Sequence, residues 1–377
     1  MSCDTENISQ QPLDKTKQEL DLPEGVPPLG SLYAYISGSC NLACRHCWIA
    51  PAFQACQDGG EYIKIHHLQK AIHEAKPLGL HTVKLTGGEP TMHPQFREVV
   101  DLISSNGLSI LIETNGTLLD SSLARFLRKT EHISFISVSL DGSDEKTHEA
   151  LRGVKGCFKQ AVQGIKNLVN EGFHPQLICT LHKNNISQIE GIIELAEGLG
   201  CGSVKFNLVQ QIGRGESFAR EYGLEVTDII QLYNHIEDKF VPKYNIRIHF
   251  DIPFAFYPIR KLLKGSLSRC NVKNILGLLA TGGLSLCGIG TTIPELIYGH
   301  VENDSLREVW CNSPGLVRLR EQIPAHLEGI CGQCLHRDFC LGTCIANNFH
   351  VAGRLNGPYQ FCVRAEALGV FPASRKR

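Results

Sequence analysis

From about residue 32 to 250 the chain alternates short apolar, β-branched runs with longer stretches whose apolar residues recur at helical spacing. The runs predict strands at Leu32 to Ser37, Thr82 to Thr86, Ser109 to Glu113, Ile133 to Leu140, Gln176 to Leu181 and Ser203 to Leu208, with a seventh at Ile246 to Phe250. Between them, Ile65, Leu68, Ile72 and Ala75 mark one helical face, and Val226, Ile229, Ile230, Tyr233 and Ile236 mark another. Strands and helices in alternation build βα units around a parallel sheet, so the fold class is α/β. Six repeats predict a partial (β/α)6 TIM barrel; an open doubly wound sheet is the alternative that the alternation leaves in play.

Glycine and polar residues fall just behind these strands. Cys40, Cys44 and Cys47 follow the first, Gly87-Gly88-Glu89-Pro90 the second and Thr114-Asn115-Gly116 the third. Ser139 and Asp141 close the fourth, His182 to Asn185 follow the fifth, and Asn207 ends the sixth before Gly213-Arg214-Gly215. In a βα barrel these positions share the rim on which active sites are built, so together they predict a site at the mouth. From about residue 265 the alternation stops. Loops rich in Gly and Cys take over, with too few periodic apolar segments for an independent core, the situation in which small modules rely on metal. The expected division is a polar N-terminal arm over residues 1–29, a barrel over 30–255 and a small loop-rich domain over 256–377.

Composition narrows the function. With 37 basic and 38 acidic residues the formal net charge is -1, which provides no field to gather nucleic acid or anionic membrane. The first 25 residues are polar and no run of 18 apolar residues occurs, so a soluble cytoplasmic protein with a loose N-terminal arm is expected. Sixteen cysteines in such a chain point to metal rather than to disulfides. Cys40, Cys44 and Cys47 form one group; Cys270, Cys287, Cys331, Cys334, Cys340, Cys344 and Cys362 form another. Cys3, Cys56, Cys157, Cys179, Cys201 and Cys311 are scattered and read as small buried or surface thiols.

The spacing C40-x3-C44-x2-C47 supplies three thiolates, one fewer than a closed tetrahedral site requires. An iron–sulfur cluster held there keeps one iron open to another ligand. By spacing alone, a zinc site completed by His46 or a later Cys stays open, as does a zinc knuckle for the C-terminal C-x2-C and C-x3-C pairs. Beside an open iron, the Glu89 carboxylate and the backbone at Gly87 and Gly88 suit an ammonium group.

C40-N-L-A-C44-R-H-C47 together with G87-G-E-P90 resembles the radical S-adenosylmethionine (SAM) superfamily, over the chain from about residue 30 onward. The resemblance implies that the three cysteines hold a [4Fe–4S] cluster whose open iron is chelated by the amino and carboxylate groups of SAM. One electron then cleaves SAM to methionine and a 5′-deoxyadenosyl radical, which abstracts a hydrogen atom from substrate. It further implies that His46 lies beside the adenine, that Gly87, Gly88 and Glu89 hold the ammonium group, and that Ser139 and Arg152 contact the carboxylate and ribose. Arg152 suits a carboxylate because its planar fork binds in bidentate fashion. Asn115 is a further candidate for SAM, with turn formation as the plain alternative for it and for Asn207.

The C-terminal series C270-x11-G282-x4-C287, then C331-x2-C334-x5-C340-x3-C344-x17-C362, resembles the SPASM domain of radical SAM peptide maturases. This implies two auxiliary iron–sulfur clusters of the [4Fe–4S] type, an inner one on Cys270, Cys287 and Cys344 and an outer one on Cys331, Cys334, Cys340 and Cys362. The inner set is one ligand short, because Leu263, Lys264 and Gly265 stand where some members place an extra Cys. Gly288 stands where sulfatase-maturing enzymes carry an Asp, so no catalytic base is assigned.

The implied activity is that of an oxidoreductase that matures peptides: oxidative modification of a peptide or protein side chain, as in a thioether or other crosslink in a Cys-containing ribosomal precursor. The implied partners are the peptide substrate, an electron donor such as flavodoxin or ferredoxin, and a separate leader-recognition protein, because only about 30 residues precede the first strand where many maturases carry a winged-helix module. The alternatives are a sulfatase-maturation-type dehydrogenase and an enzyme acting on a tetrapyrrole or other small molecule. From another class, an iron–sulfur electron carrier or a zinc-binding interaction protein would leave the Gly-Gly-Glu-Pro turn and the rim pattern without a purpose.

Overall fold

Alternation along the strands sorts the sheet into two faces, and the sorting builds the fold. Val83 and Leu85, Ile110 and Ile112, and Val204 and Phe206 are wholly buried, whereas the intervening Lys84, Leu111 and Lys205 are only half-buried. The buried set faces helices such as Ile65–Ala75, Phe96–Ser105 and Ile189–Gly198, whose own apolar stripes complete the layer. The other set faces away from them.

The computed structural model describes residues 20, 22–56, 59–263 and 270–377. The expected arm over residues 1–19 with Cys3, and Lys264 and Gly265 ahead of Cys270, lie outside the described residues. Ten strands form one sheet: β1 (Ser31–Ser37), β2 (Thr82–Gly87), β3 (Ser109–Thr114), β4 (Ile133–Ser139), β5 (Gln176–Leu181), β6 (Ser203–Leu208), β7 (Arg247–Phe250), β8 (Ile275–Leu278), β9 (Gly283–Ser285) and β10 (Ile297–His300). Their spatial order is β10-β9-β8-β1-β2-β3-β4-β5-β6-β7. From β1 to β7 neighbours are parallel and follow chain order, the arrangement of a barrel rather than of a doubly wound sheet, which reverses at a switch point. The two ends of the sheet are not paired with one another, so the barrel is partial.

The C-terminal part is joined to this sheet more closely than the sequence implied. Strand β8 pairs in parallel with the free edge of β1, and β9 and β10 continue as an antiparallel meander. No independent core is needed, because Leu276, Leu278, Leu284 and Trp310 bury their side chains in the core that the barrel shares. Polar contacts fix the same junction: Trp310 Nε1 donates to Pro27 O at 2.9 Å, Lys70 Nζ to Val301 O at 2.7 Å, and Leu306 N to Glu74 Oε2 at 2.6 Å. Leu29 is wholly buried and Leu22 and Val26 pack against the core, so this part of the expected loose arm is held down. Among the described residues no helix is long and apolar enough to cross a membrane.

Leu276 tests the continuity of the sheet. Replacing it by Ala is expected to cost about 2 to 5 kcal/mol, and urea unfolding followed by far-UV circular dichroism should show one transition moved to lower urea. A second transition at the wild-type midpoint would show that the barrel unfolds independently of β8.

Candidate active site

The loop that carries the Cys triad has little regular structure of its own, so its shape is set by what abuts it. Three elements do so. From the end of β2, the backbone N–H groups of Gly88 and Glu89 donate to Ser37 O (2.6 Å) and Ser39 O (2.9 Å). A Cβ on Gly88 would stand 2.0 Å from Ser39 O, so only glycine lets the turn seat there. From behind comes the helix Glu145–Arg152, capped by Asp144 accepting from Thr147 N and ended by Gly153 in a left-handed conformation. Its last carbonyls, which lack partners within the helix, accept from the loop: Leu151 O from Arg45 N at 2.9 Å, Arg152 O from Ala43 N at 3.0 Å. After β6, Arg214 donates through Nε to Cys44 O (2.9 Å) and through Nη1 to Pro51 O (3.2 Å), while its backbone N–H reaches Cys47 O.

Within this frame Cys40 and Cys44 are buried and Cys47 is half-buried, and the three thiols act on one another. Burial pushes both Cys40 and Cys44 above the usual thiol range, in the second case against the pull of Arg152. Deprotonation therefore awaits a metal, which takes the thiolate outright. Donors are in place for that form: Leu42 N lies 3.4 Å and Asn115 Nδ2 3.9 Å from Cys40 Sγ, and Arg152 Nη1 lies 3.5 Å from Cys44 Sγ. Cys157, read from sequence as a scattered thiol, packs against this group from its buried side. Among the described residues no three His, Cys, Asp or Glu side chains converge at the spacing of a single metal ion.

Arg152 is not the open fork expected from sequence. Its Nε bonds Asp141 Oδ2 at 2.5 Å, so two of its three nitrogens are engaged with the protein, at Asp141 and at Cys44. Asp141 is wholly buried; burial pushes its carboxyl up, but Arg152, aided by His46, His148 and the Thr180 N–H, outweighs this and holds it at about 2. Asp141 also donates its N–H to His148 Nδ1 (3.0 Å) and accepts from Asn185 Nδ2 at its carbonyl (2.9 Å). The sequence marked Asp141 only as a strand end and Arg214 only as loop punctuation. The signals were an Asp at the rim of β4 and an Arg flanked by two glycines.

Glu89 is buried too, and mostly satisfied from within: Oε1 accepts from Thr91 N, Thr91 Oγ1 and Thr114 Oγ1, and Oε2 from Asn115 N at 2.7 Å. A carboxylate offers about four lone-pair sites, so the second oxygen keeps one place for a further donor. Burial raises the Glu89 carboxyl against these hydrogen bonds. Asn115 spends its side chain on Asn41 Oδ1, Cys40 Sγ and both donors of Thr117, which makes it a turn former that also touches the triad. His46 Nδ1 is buried without a partner, and burial lowers the imidazole to about 3, so the ring is neutral with an unmet hydrogen-bonding atom. Ser139 and Asn207 sit half-buried near the rim ends of β4 and β6.

The seven C-terminal cysteines fall into two neighbourhoods. Cys270, Cys287 and Cys344 act on one another, and Cys331, Cys334, Cys340 and Cys362 likewise. The second four all line one cavity, walled by Ala255, Leu327, Ile330 and Phe371 and bordered by Arg337 and Thr343. Burial pushes Cys270 and Cys331 up to about 12. Near the first three, the Tyr35 ring presses on the backbone after Cys287: a Cβ at Gly288 would lie 2.2 Å from a Tyr35 ring carbon.

Residues 35–196 match the Radical SAM superfamily. The chain is 29% identical over 331 residues to a mycofactocin maturase, MftC, of Mycobacterium ulcerans, covering 86% of this chain and 85% of that protein. It is 27% identical over 341 residues to an AdoMet-dependent heme synthase of Methanosarcina barkeri, covering 87% and 94%. Among solved structures, Streptococcus suis SuiB bound to its precursor peptide SuiA superposes with a TM-score of 0.69 at 18% identity, over 86% of this chain and 73% of that one, a likeness of fold.

The Asp141 carboxyl sits below the unfolded value of about 3.9, so its contribution is present above that pH and is lost as pH falls towards about 2. The contribution is on the order of 2 kcal/mol. Asp141→Asn should therefore be less stable than wild type in urea at pH 7, with the gap narrowing between about pH 4 and pH 2; a gap constant with pH would contradict the ion-pair account. The pair and the Cys loop it steadies both fall within residues 35–196, the stretch that matches the Radical SAM superfamily, whose cofactors are a [4Fe–4S] cluster and SAM.

Proposed function

We propose that the chain is a radical SAM enzyme with a C-terminal SPASM domain that oxidatively modifies a side chain of a peptide or protein substrate. The observation that carries this reading is the division of the seven C-terminal cysteines into a group of three and a group of four, the latter around a single cavity. Four thiols around one cavity fit a closed auxiliary cluster, and three fit one with an open iron. The donor set of the triad loop fits as well: three neighbouring thiols, N–H donors at two of their sulfurs, and an unmet imidazole nitrogen at His46.

In this reading Cys40, Cys44 and Cys47 would hold the [4Fe–4S] cluster, which when bound would supply the electron for reductive cleavage of SAM. Glu89 accepts one donor of the SAM ammonium group at its remaining oxygen site, and His46 borders the adenine. Ser139 stays a candidate for the carboxylate end. Arg152 acts chiefly by holding Cys44 against Asp141 rather than by gripping the carboxylate in bidentate fashion. A thiolate is a preferred ligand of iron–sulfur sites, so the three-thiol inner group suits a Cys-containing precursor and thioether or other crosslink formation.

The relatives named for peptide maturation and the peptide-bound SuiB fold support a peptide substrate. The heme synthase relative keeps a tetrapyrrole as the second reading; the seven-Cys pattern favours the first. A dehydrogenase of the sulfatase-maturing type is disfavoured, since Tyr35 occupies the space a side chain at position 288 would need.

Anaerobic reconstitution should load iron for three clusters per chain and give 5′-deoxyadenosine on reduction. Cys44→Ala is expected to abolish that cleavage, whereas Cys334→Ala should retain it without substrate yet form no product from an authentic precursor. Equal behaviour of the two variants would refute the division of roles.

A further inference from the structure

A row of residues in register crosses the sheet from β2 to the loop bearing Cys287, and Glu113 on β3 reaches it from two positions beyond Leu111, the residue opposite Lys84. Lys84 on β2 lies opposite Tyr33 on β1, and Tyr33 lies opposite Gly277 on β8. A Cβ on Gly277 would stand 2.8 Å from the Cα, C and O atoms of Cys287, so the Cys287 backbone rests directly on that strand. Lys84 Nζ is 4.7 Å from the centroid of the Tyr33 ring and 2.5 Å from Glu113 Oε1 on the far side, β3. All three side chains project from the face that the helices do not cover, since Val83, Leu85, Ile110 and Ile112 take the helical side.

The ion pair does little for stability in such a place, where desolvation offsets much of the attraction. Its orientation does more. Both Cys270 and Cys287 feel the Lys84 ammonium, while the Glu113 carboxylate acts on Lys84 and Tyr33 behind it. Burial works against the ammonium, but Glu113 and Tyr33 outweigh it, so Lys84 stays charged. Among the described residues the second group, Cys331, Cys334, Cys340 and Cys362, has no such lysine; the cations near it are Arg337, which lines the same cavity and pairs with Asp338 at 3.5 Å, and Arg375 and Arg377, which act on Cys334.

We propose that Lys84 is a positioning residue for the redox chemistry: a fixed positive charge beside Cys270 and Cys287 that raises the reduction potential of the inner auxiliary cluster relative to the outer one. The proposal rests on the function proposed above. Net charge and hydrogen bonding around the sulfurs are what set such potentials. A cation at this place makes the inner site the first to accept an electron, and Glu113 sets how strongly the cation is felt. The pair thus orders the two sites without touching the triad.

The test is a potentiometric titration, followed by electron paramagnetic resonance, of the anaerobically reconstituted full chain and of Lys84→Met, Lys84→Arg and Glu113→Gln. Lys84→Met should lower one midpoint, shifting electron partition between inner and outer clusters about tenfold, which is about 59 mV for a one-electron couple. Lys84→Arg should restore it, and Glu113→Gln should move the same midpoint upward. If Lys84→Met fails to load iron, Glu113→Gln decides: an upward shift supports the charge account and an unmoved midpoint overturns it. Equal shifts in Lys84→Met and Lys84→Arg, or a shift confined to the outer or triad cluster, overturn it as well. Three loaded clusters with unmoved midpoints overturn the role of Lys84 alone, whereas iron for a single cluster overturns the proposed function beneath it.

Discussion

The buried pair of Asp141 and Arg152 is the constraint on which the mouth of the barrel depends. A carboxylate with no exposure is costly unless it is paired and hydrogen-bonded; Asp141 accepts from Arg152 Nε at one oxygen and from the Thr180 N–H at the other, while its backbone N–H and C=O bond His148 and Asn185. These partners come from the helix Glu145–Arg152, from β5 and from the loop after β5. One residue, through its carboxylate and its backbone, therefore ties three segments together, and Arg152 passes the constraint to Cys44. The loop that carries the chemistry is rigid because something behind it has no alternative arrangement.

Close backbone approach completes the enclosure. Gly88 lies against Ser39, Gly213 against Trp48 and Gly215 against His46, each at a distance that a Cβ would make impossible. Steric absence on the β2 and β6 sides and hydrogen bonds from the helix together define the shape of a loop that has almost no secondary structure. A loop held this way keeps its three thiols as neighbours with little regular structure, its internal turn closing from Cys47 N to Cys44 O.

The strands were legible because they obey a period of two with one face wholly apolar; Gln176 to Leu181 and Ser203 to Leu208 match to the residue. Strands β8 to β10 escaped notice because they are three or four residues long and show no alternation, β8 and β9 being buried throughout and β10 exposed or half-buried throughout, so their identity depends on the edge of β1 rather than on any local pattern. At the site, the grouping of the cysteines was readable because side chains brought to one place by short loops recur at short, regular offsets. The partners of Arg152 were not, since a planar fork suits a cosubstrate carboxylate and Asp141 equally well, and only the fold shows that Asp141 is buried beside it. Lys84 was invisible for a similar reason: a lysine inside a strand signals nothing until register brings it into line with Gly277 and Cys287.

The pairing of β8 on β1 has a mechanical consequence. Strand β1 runs directly into the first triad cysteine, and the β8–β9 hairpin runs into Cys287, so the two cysteine centres are carried on strands of one sheet with only β8 between them, neighbouring strands lying about 4.8 Å apart. To vary the distance between them the chain would have to break the ladder joining Ser31–Ala34 to Ile275–Leu278. The gap between the centres is thus as invariant as a bond network can make it, and accommodation of differently shaped substrates falls to the rim loops alone.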